Sequence, residues 1–126
     1  MAHAQPVMLV DNDKRSTNLF RVILKTEGFN VEVAYCGVAA IEKAQARRFG
    51  VVILDYALPD MKGDELAEKI RLKQPDVELI LLTGFKSSLS AALLNKFKYV
   101  FEKPVNPQEL IDAIKSVTQK PILFHS

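Results

Sequence analysis

Four short apolar runs in this chain each lead into a residue whose side chain can handle phosphate or a metal ion. The pairs are Val10 into Asp11, Leu54 into Asp55, Leu82 into Thr83, and Phe101-Glu102 into Lys103. In an open parallel sheet, ligands bind just beyond the carboxyl ends of the strands. If the four runs are strands of such a sheet, two carboxylates, a hydroxyl and an ammonium meet in one pocket.

The composition fits one globular domain. A chain of 126 residues, of which 48% are hydrophobic, supplies a single core. Its formal net charge is +2 and it has no dense block of Lys and Arg, so we expect no direct contact with nucleic acid. The single Cys36 cannot form an internal disulfide, and no apolar run approaches the roughly 20 residues that cross a bilayer. These features predict a cytoplasmic protein without a membrane contact.

Five short segments have the composition of β-strands. Val7–Val10, Val51–Leu54 and Leu79–Leu82 are continuously apolar and rich in branched residues, which is typical of strands buried on both faces. In the segment 31–33, valines alternate with a polar residue, as in an outer strand. Tyr99–Phe101 supplies the fifth strand.

Helices are predicted between these strands, because apolar residues recur there at spacings of three and four. One helix is placed around residues 87–97, and another begins after Asn106, which can cap it with Pro107 in the first position. Strict alternation predicts an α/β fold, a doubly wound parallel sheet of five strands with five helices on its two faces. The segment Asp60–Gly63 is interpreted as a plain turn without a catalytic role, in which Gly63 allows a positive φ.

Four motifs occur in the order in which the response-regulator receiver domain carries them, and the chain resembles that family over about residues 7–117. They are Leu9-Val10-Asp11-Asn12-Asp13, Val52-Ile53-Leu54-Asp55-Tyr56-Ala57-Leu58-Pro59-Asp60-Met61-Lys62-Gly63, Leu81-Leu82-Thr83-Gly84 and Glu102-Lys103-Pro104. The resemblance implies a CheY-like, flavodoxin-like sheet with strand order 2-1-3-4-5. It sets the domain at residues 7–117, between an N-terminal tail at 1–6 and a C-terminal tail at 118–126.

Members of that family accept a phosphoryl group from a histidine kinase or a histidine phosphotransfer protein, and the resemblance assigns this role to Asp55. It implies Mg²⁺ as the cofactor, held by Asp11, Asn12, Asp55 and the backbone carbonyl of Ala57. The phosphorylated domain would signal through changed contacts with a downstream protein or within a homodimer. Such a domain is not an enzyme beyond its own phosphorylation and dephosphorylation.

The chemistry of the strand-end residues agrees with this role. A carboxylate can act as a nucleophile toward phosphorus once charge repulsion is offset, and Mg²⁺ offsets it through one or two carboxylates plus phosphate oxygens. In the family arrangement, Lys103 places its charge on one phosphoryl oxygen and the Thr83 hydroxyl donates to another. The family also holds the Lys103-Pro104 bond cis, which aims the lysine inward.

Two positions depart from the family pattern. A second acidic residue usually follows Asp11, but here it is Asn12, which lacks the charge. A charge pair about 4 Å apart is worth on the order of 4 kcal/mol at an effective dielectric of 20, so we expect Mg²⁺ to bind more weakly than in a typical receiver. Asp13 could serve as a substitute ligand if the loop turns its side chain inward. Val100 occupies the usual aromatic switch position, and Phe101 points to the opposite face of an alternating strand, so the output mechanism stays open.

Two other functions fit parts of the pattern. Asn12 and Val100 favour a pseudo-receiver, which keeps the fold as a binding or dimerisation module without phosphorylation. Asp11-Asn12-Asp13 superficially matches the Asp-x-Asp motif of aspartate-nucleophile phosphohydrolases, which also use a Thr or Ser and a Lys. A phosphohydrolase would leave the motif around Asp55 unexplained.

Overall fold

The computed structural model describes residues 6–118, in which strands and helices alternate. The strands are β1 (Val7–Val10), β2 (Val31–Ala34), β3 (Val51–Asp55), β4 (Glu78–Thr83) and β5 (Tyr99–Glu102). The helices are α1 (Lys14–Thr26), α2 (Gly37–Ala46), α3 (Gly63–Lys73), α4 (Ala91–Leu94) and α5 (Pro107–Thr118). Residues 1–5 and 119–126, which make up most of the two predicted tails, lie outside the described part of the chain.

The five strands form one parallel sheet in the order β2-β1-β3-β4-β5, which confirms the predicted fold and strand order. Val10 pairs with both Ala34 and Leu54, and Asp55 pairs with Leu82. The central strands β1, β3 and β4 are buried on both faces, as their continuously apolar sequences predict. The outer strands β2 and β5 are partly exposed.

Side chains of the central strands alternate between two cores, one on each face of the sheet. On one face, α1 and α5 contribute buried residues such as Leu24 and Leu110. On the other face, α2 and α3 contribute residues such as Leu66 and Ile70. None of the helices within residues 6–118 is long and apolar enough to cross a membrane. With both faces covered, the polar groups at the carboxyl ends of the strands meet along one edge of the sheet.

The helix predicted around residues 87–97 is present but much shorter than predicted. The structure has a three-residue 3₁₀ turn at Lys86–Ser88 and only one α-helical turn, α4, at whose start Ser90 accepts from the N–H of Leu93. Serine hydroxyls compete for backbone groups and so favour turns and caps over helix interiors. The leucines of this segment are only partly buried, so packing does not stabilise a longer helix either.

Gly63 has a different role from the one predicted. Its φ is not positive, and Gly28, at 95°, is the only residue with a positive φ among residues 6–118. A Cβ at Gly63 would lie 2.8 Å from both the carbonyl oxygen of Asp55 and the Cα of Tyr56. The glycine is therefore required by the close packing of the start of α3 on the end of β3.

A buried glutamine, Gln74, joins the end of α3 to the last turn of α2 and to the loop that follows it. Its amide nitrogen donates to the carbonyl oxygens of Ala44 (2.8 Å) and Arg47 (2.7 Å). Its amide oxygen accepts from the backbone N–H of Phe49 at 2.8 Å. Because buried backbone groups need partners, Gln74 is the side chain that lets this loop pack inward.

Replacing Gln74 with Leu removes all three hydrogen bonds and keeps most of the buried volume. Since buried backbone groups would then lack partners, we expect the free energy of unfolding to fall by about 2–3 kcal/mol. Urea denaturation measures the change, with Gln45→Leu at an exposed position of α2 as the control. A loss below about 0.5 kcal/mol would show that the three bonds contribute little to stability.

Candidate functional site

The residues singled out in the sequence lie at the carboxyl ends of four strands. Asp55 and Thr83 are the last residues of β3 and β4, whereas Asp11 and Lys103 directly follow β1 and β5. β1 and β3 are neighbours in the sheet, although α1, β2 and α2 separate them in the chain. Open α/β sheets bind ligands at such a reversal of strand order.

The Lys103 ammonium lies between the two carboxylates. Its Nζ is 3.0 Å from Oδ2 of Asp55 and 3.2 Å from Oδ2 of Asp11. The side chains of Asp11 and Asp55 are only 8% and 11% exposed, whereas that of Lys103 is 34% exposed. The Lys103-Pro104 peptide bond is cis. The structure thus brings these three charged groups together in a small acidic cleft.

Thr83 is buried at the end of the neighbouring strand. Its carbonyl oxygen accepts from the backbone N–H of Lys103 at 2.8 Å. Its hydroxyl oxygen accepts from the backbone N–H of Phe85 at 3.1 Å, which leaves the hydroxyl proton to donate elsewhere. The Phe85 side chain, which the sequence did not single out, is 75% exposed two residues beyond Thr83.

The loop after β1 uses its two aspartates in different ways. Oδ1 of Asp11 accepts from the backbone N–H of Asp13 at 2.9 Å. Asp13 caps α1 by accepting from the hydroxyl of Ser16 and the N–H of Arg15, both at 3.0 Å, and the bond to Ser16 does most to lower the pKa of Asp13. In this conformation Asp13 is not turned inward, so the structure does not support it as a substitute metal ligand. Asn12 is exposed.

Burial and charge act in opposite directions on the pair Asp55 and Lys103. Burial, with the negative charge of Asp11, raises the pKa of Asp55 above its ordinary value, although the hydrogen bond and charge of Lys103 act to lower it. Burial also opposes the charge on Lys103, but the hydrogen bond to Asp55 and the charges of Asp11 and Asp55 together raise the pKa of Lys103. The lysine therefore stays protonated at neutral pH, while the buried Asp55 carboxylate costs stability.

Replacing Asp55 with Asn removes that cost. A raised pKa means that the folded protein binds this proton more tightly than the unfolded chain. Protonation of Asp55 therefore increases the free energy of unfolding as the pH falls through the folded-state pKa. We expect Asp55→Asn to need more urea to unfold than the parent at neutral pH. The difference should shrink below the ordinary pKa of aspartate, where both states are protonated. Asp76→Asn, in an exposed loop, is the control, and equal midpoints of parent and Asp55→Asn at every pH would contradict the assignment.

A hard cation is the ligand that this cleft suits chemically. Asp11 and Asp55 offer carboxylate oxygens, and the adjoining loops carry the amide of Asn12 and the carbonyl of Ala57. Within residues 6–118, no group of three or more His, Cys, Asp or Glu side chains is placed to hold a metal ion. Mg²⁺ binds through one or two carboxylates and completes its shell with neutral oxygens, water and phosphate, so the donor set fits this ion.

Sequence interpretation missed one residue near the site, Asp60. Its Oδ1 accepts from the N–H of Gly37 (2.8 Å) and its Oδ2 from the N–H of Val38 (2.9 Å), so it caps α2 from the loop after β3. The sequence held a signal for this. Cys36 stands at the cap position of α2, makes no capping hydrogen bond, and is not one of the usual cap residues. A helix without its own cap indicates a cap supplied from elsewhere in the chain.

Comparison with known proteins decides which family this site belongs to. The family model described as response regulator receiver domain matches residues 7–115. The chain belongs to the response-regulator receiver family. This is a family of signalling domains of two-component systems.

Individual relatives agree with the receiver assignment. The probable transcriptional regulator ycf29 of Porphyra purpurea is 31% identical over 122 residues, covering 93% of this chain and 58% of that protein. A CheY-like receiver domain protein from Methanospirillum hungatei has a TM-score of 0.81 at 31% identity, over 90% of this chain and 92% of that one. The response regulator TrrA from Thermotoga maritima, solved in complex with Mg²⁺-BeF, has a TM-score of 0.81 at 28% identity, over 90% and 98%. The receiver spans between 36% and 58% of the length of the first curated relatives.

Proposed function

We propose that this receiver accepts a phosphoryl group on Asp55 in a Mg²⁺-dependent reaction, with a histidine kinase or a histidine phosphotransfer protein as the donor. The observation that carries the proposal is the Lys103 ammonium within 3.2 Å of both the Asp11 and the Asp55 carboxylate. This arrangement holds positive charge at the place where phosphoryl oxygens would arrive. Membership of the receiver family and a related structure solved with Mg²⁺-BeF support the proposal.

Asp55 supplies the nucleophile. One of its carboxylate oxygens forms a bond to phosphorus as the bond from phosphorus to the donor's histidine nitrogen breaks, and the electron pair of that bond stays on the nitrogen. The Asp55 side chain is buried but retains 11% exposure, so a donor can reach it from the sheet edge. Asp11, Asn12, Asp55 and the carbonyl of Ala57 would hold Mg²⁺, which would neutralise the charge that otherwise repels the phosphoryl group.

Lys103 and Thr83 bind the transferred group. The Lys103 ammonium, already paired with Asp55, donates to a phosphoryl oxygen that replaces part of the carboxylate charge. The Thr83 hydroxyl donates to another phosphoryl oxygen, since its own oxygen already accepts from Phe85. Most of the rate enhancement then comes from positioning and charge neutralisation.

The output of the receiver is proposed to pass through a protein contact. Phosphorylation shifts the population of conformations, and a downstream protein target or a second copy of the chain reads the shift through its affinity. Curated relatives about twice as long carry names of transcriptional regulators, so receivers of this kind act on domains or partners beyond themselves.

Although Asn12 and Val100 depart from the family pattern, no contact in the structure favours the pseudo-receiver or the phosphohydrolase over the phosphorylated receiver. The acceptor, the hydroxyl and the lysine expected for phosphorylation are all at the sheet edge. A phosphohydrolase of the Asp-x-Asp type would use Asp13 as its second carboxylate, but Asp13 caps α1. The family match also concerns receivers.

Incubation with acetyl phosphate and Mg²⁺ tests the proposed acceptor directly. We expect intact-mass analysis to show one added phosphate on the parent and none on Asp55→Asn, because the proposal assigns Asp55, 3.0 Å from Lys103, as the nucleophile and Asp11 to the cation. Asp76→Asn is the matched control and should be modified like the parent. Chelation of Mg²⁺ should abolish the addition. An adduct that survives in Asp55→Asn, or none on the parent, would overturn the proposal.

Restoring the second acidic residue should strengthen cation binding. Asn12→Asp adds a negative charge to the donor set, and after partial compensation by desolvation we expect about tenfold tighter Mg²⁺ binding, or roughly 1.4 kcal/mol. Calorimetric titration of parent and variant measures the two affinities. Asn18→Asp, exposed on α1, controls for net charge. Equal affinities for the parent and Asn12→Asp would show that the missing charge is unimportant.

A further inference from the structure

The loop that follows Asp55 is a closed hairpin rather than a plain turn. Ala57 and Lys62 form an isolated antiparallel bridge across its base. The backbone N–H of Gly63 donates to the carbonyl oxygen of Tyr56 at 2.7 Å, which closes the hairpin where it meets α3. The hairpin therefore leaves and rejoins the sheet edge directly beside the acceptor.

The tip of this hairpin is attached to α2. Asp60 accepts from two successive backbone N–H groups, those of Gly37 and Val38, across 23 and 22 residues of sequence. These two bonds, with that of Val38 first, lower the pKa of Asp60. Beside them, the Met61 side chain fills the space over Gly37, where a Cβ would come within 2.5 Å of the methionine sulfur.

The base of the same hairpin contacts the acceptor. Ala57 follows Asp55 by two residues, and its bridge partner Lys62 directly precedes Gly63, whose Cα packs so closely on the carbonyl oxygen of Asp55 that a Cβ there would lie 2.8 Å from it. Between the bridge at its base and the capped helix at its tip, the hairpin has two fixed points. Ala57 lies in the bridge at the base, and the short hairpin connects it to the tip that Asp60 fixes to α2. Releasing the tip would therefore loosen the backbone at Ala57.

We propose that Asp60 is a positioning residue of the acceptor site, which fixes the hairpin to α2 and thereby holds the Ala57 backbone in place beside Asp55. This inference rests on the proposed function, in which the Ala57 carbonyl is a Mg²⁺ ligand. Both carboxylate oxygens of Asp60 accept from N–H groups of α2, so Asp60 is not assigned as a ligand of the phosphoryl group or the cation. Asp60 acts indirectly, by orienting the Ala57 carbonyl that would bind Mg²⁺. Removal of a residue that orients a metal ligand typically lowers metal affinity about tenfold or more.

The test variant is Asp60→Ala, and the matched control is Asp76→Ala, which removes an equal charge from an exposed loop. A third variant, Asp60→Asn, keeps one side-chain oxygen that can accept from the N–H of either Gly37 or Val38. We expect Asp60→Ala to bind Mg²⁺ roughly tenfold more weakly than the parent, Asp60→Asn to recover part of the loss, and Asp76→Ala to match the parent. In triple-resonance NMR, the Ala57 carbonyl shift, read through the N–H of Leu58, should move in cation-free Asp60→Ala.

A second control separates positioning from plain destabilisation. Gln45→Gly weakens α2 at an exposed position far along the helix, without touching the cap. It should lower stability in urea and leave the Mg²⁺ affinity and the Ala57 carbonyl shift unchanged. If the Mg²⁺ affinity falls equally in Gln45→Gly, or stays unchanged in Asp60→Ala, Asp60 is not a positioning residue. These outcomes reject the inference alone, because the parent still binds Mg²⁺. If the parent itself binds no Mg²⁺, the proposed function is rejected together with the inference.

Discussion

Two carboxylates share one lysine ammonium at the edge of a parallel sheet, and the rest of the structure follows from the need to hold them there. Asp11 and Asp55 are nearly buried, and without a cation between them they would repel each other in a poorly solvated cleft. Lys103 supplies that cation from the far side of the sheet, across β4. Only a sheet with β1 beside β3 brings these groups within hydrogen-bonding distance, which makes the strand order a requirement of the chemistry.

The acidic residues around this cleft divide into two kinds. Asp11 and Asp55 face Lys103, whereas Asp13 and Asp60 accept from backbone N–H groups at the starts of α1 and α2. The capping aspartates have their carboxylates directed at helix ends, so they hold the loops while leaving the cleft to the other two. Residue type alone does not separate these roles. Position at a strand end predicts the first kind, and the need of a helix for a cap predicts the second.

The sequence predicted the parts of the molecule that depend on local pattern. Continuously apolar runs gave the three central strands, and the strand-end positions of Asp55 and Thr83 were read from the same pattern. The helix predicted around residues 87–97 is only one turn long because turn-forming serines and partial burial outweighed its apolar spacing. Asp60 caps a helix distant in sequence, and Gly63 packs backbone to backbone. The local pattern at Cys36 indicates that α2 lacks its own cap, but it does not identify Asp60 as the partner, and no local pattern indicates the contact at Gly63. Helical and strand periodicity is a local signal, whereas these contacts exist only after the chain has folded.

The region beyond Thr83 shows what the departure at Val100 means structurally. Val100 packs on the face covered by α2 and α3, whereas Phe101 stacks on Tyr99 on the opposite face, as strand alternation predicts. The link from Thr83 to the following segment runs instead through main-chain groups: Phe85 N–H donates to the Thr83 hydroxyl, and Lys86 N–H donates to Glu102. α4, only one turn long and partly buried, has few contacts to resist displacement. The contacts that join Thr83 and β5 to this weakly held segment are therefore hydrogen bonds from backbone N–H groups, and none of them needs a ring at position 100.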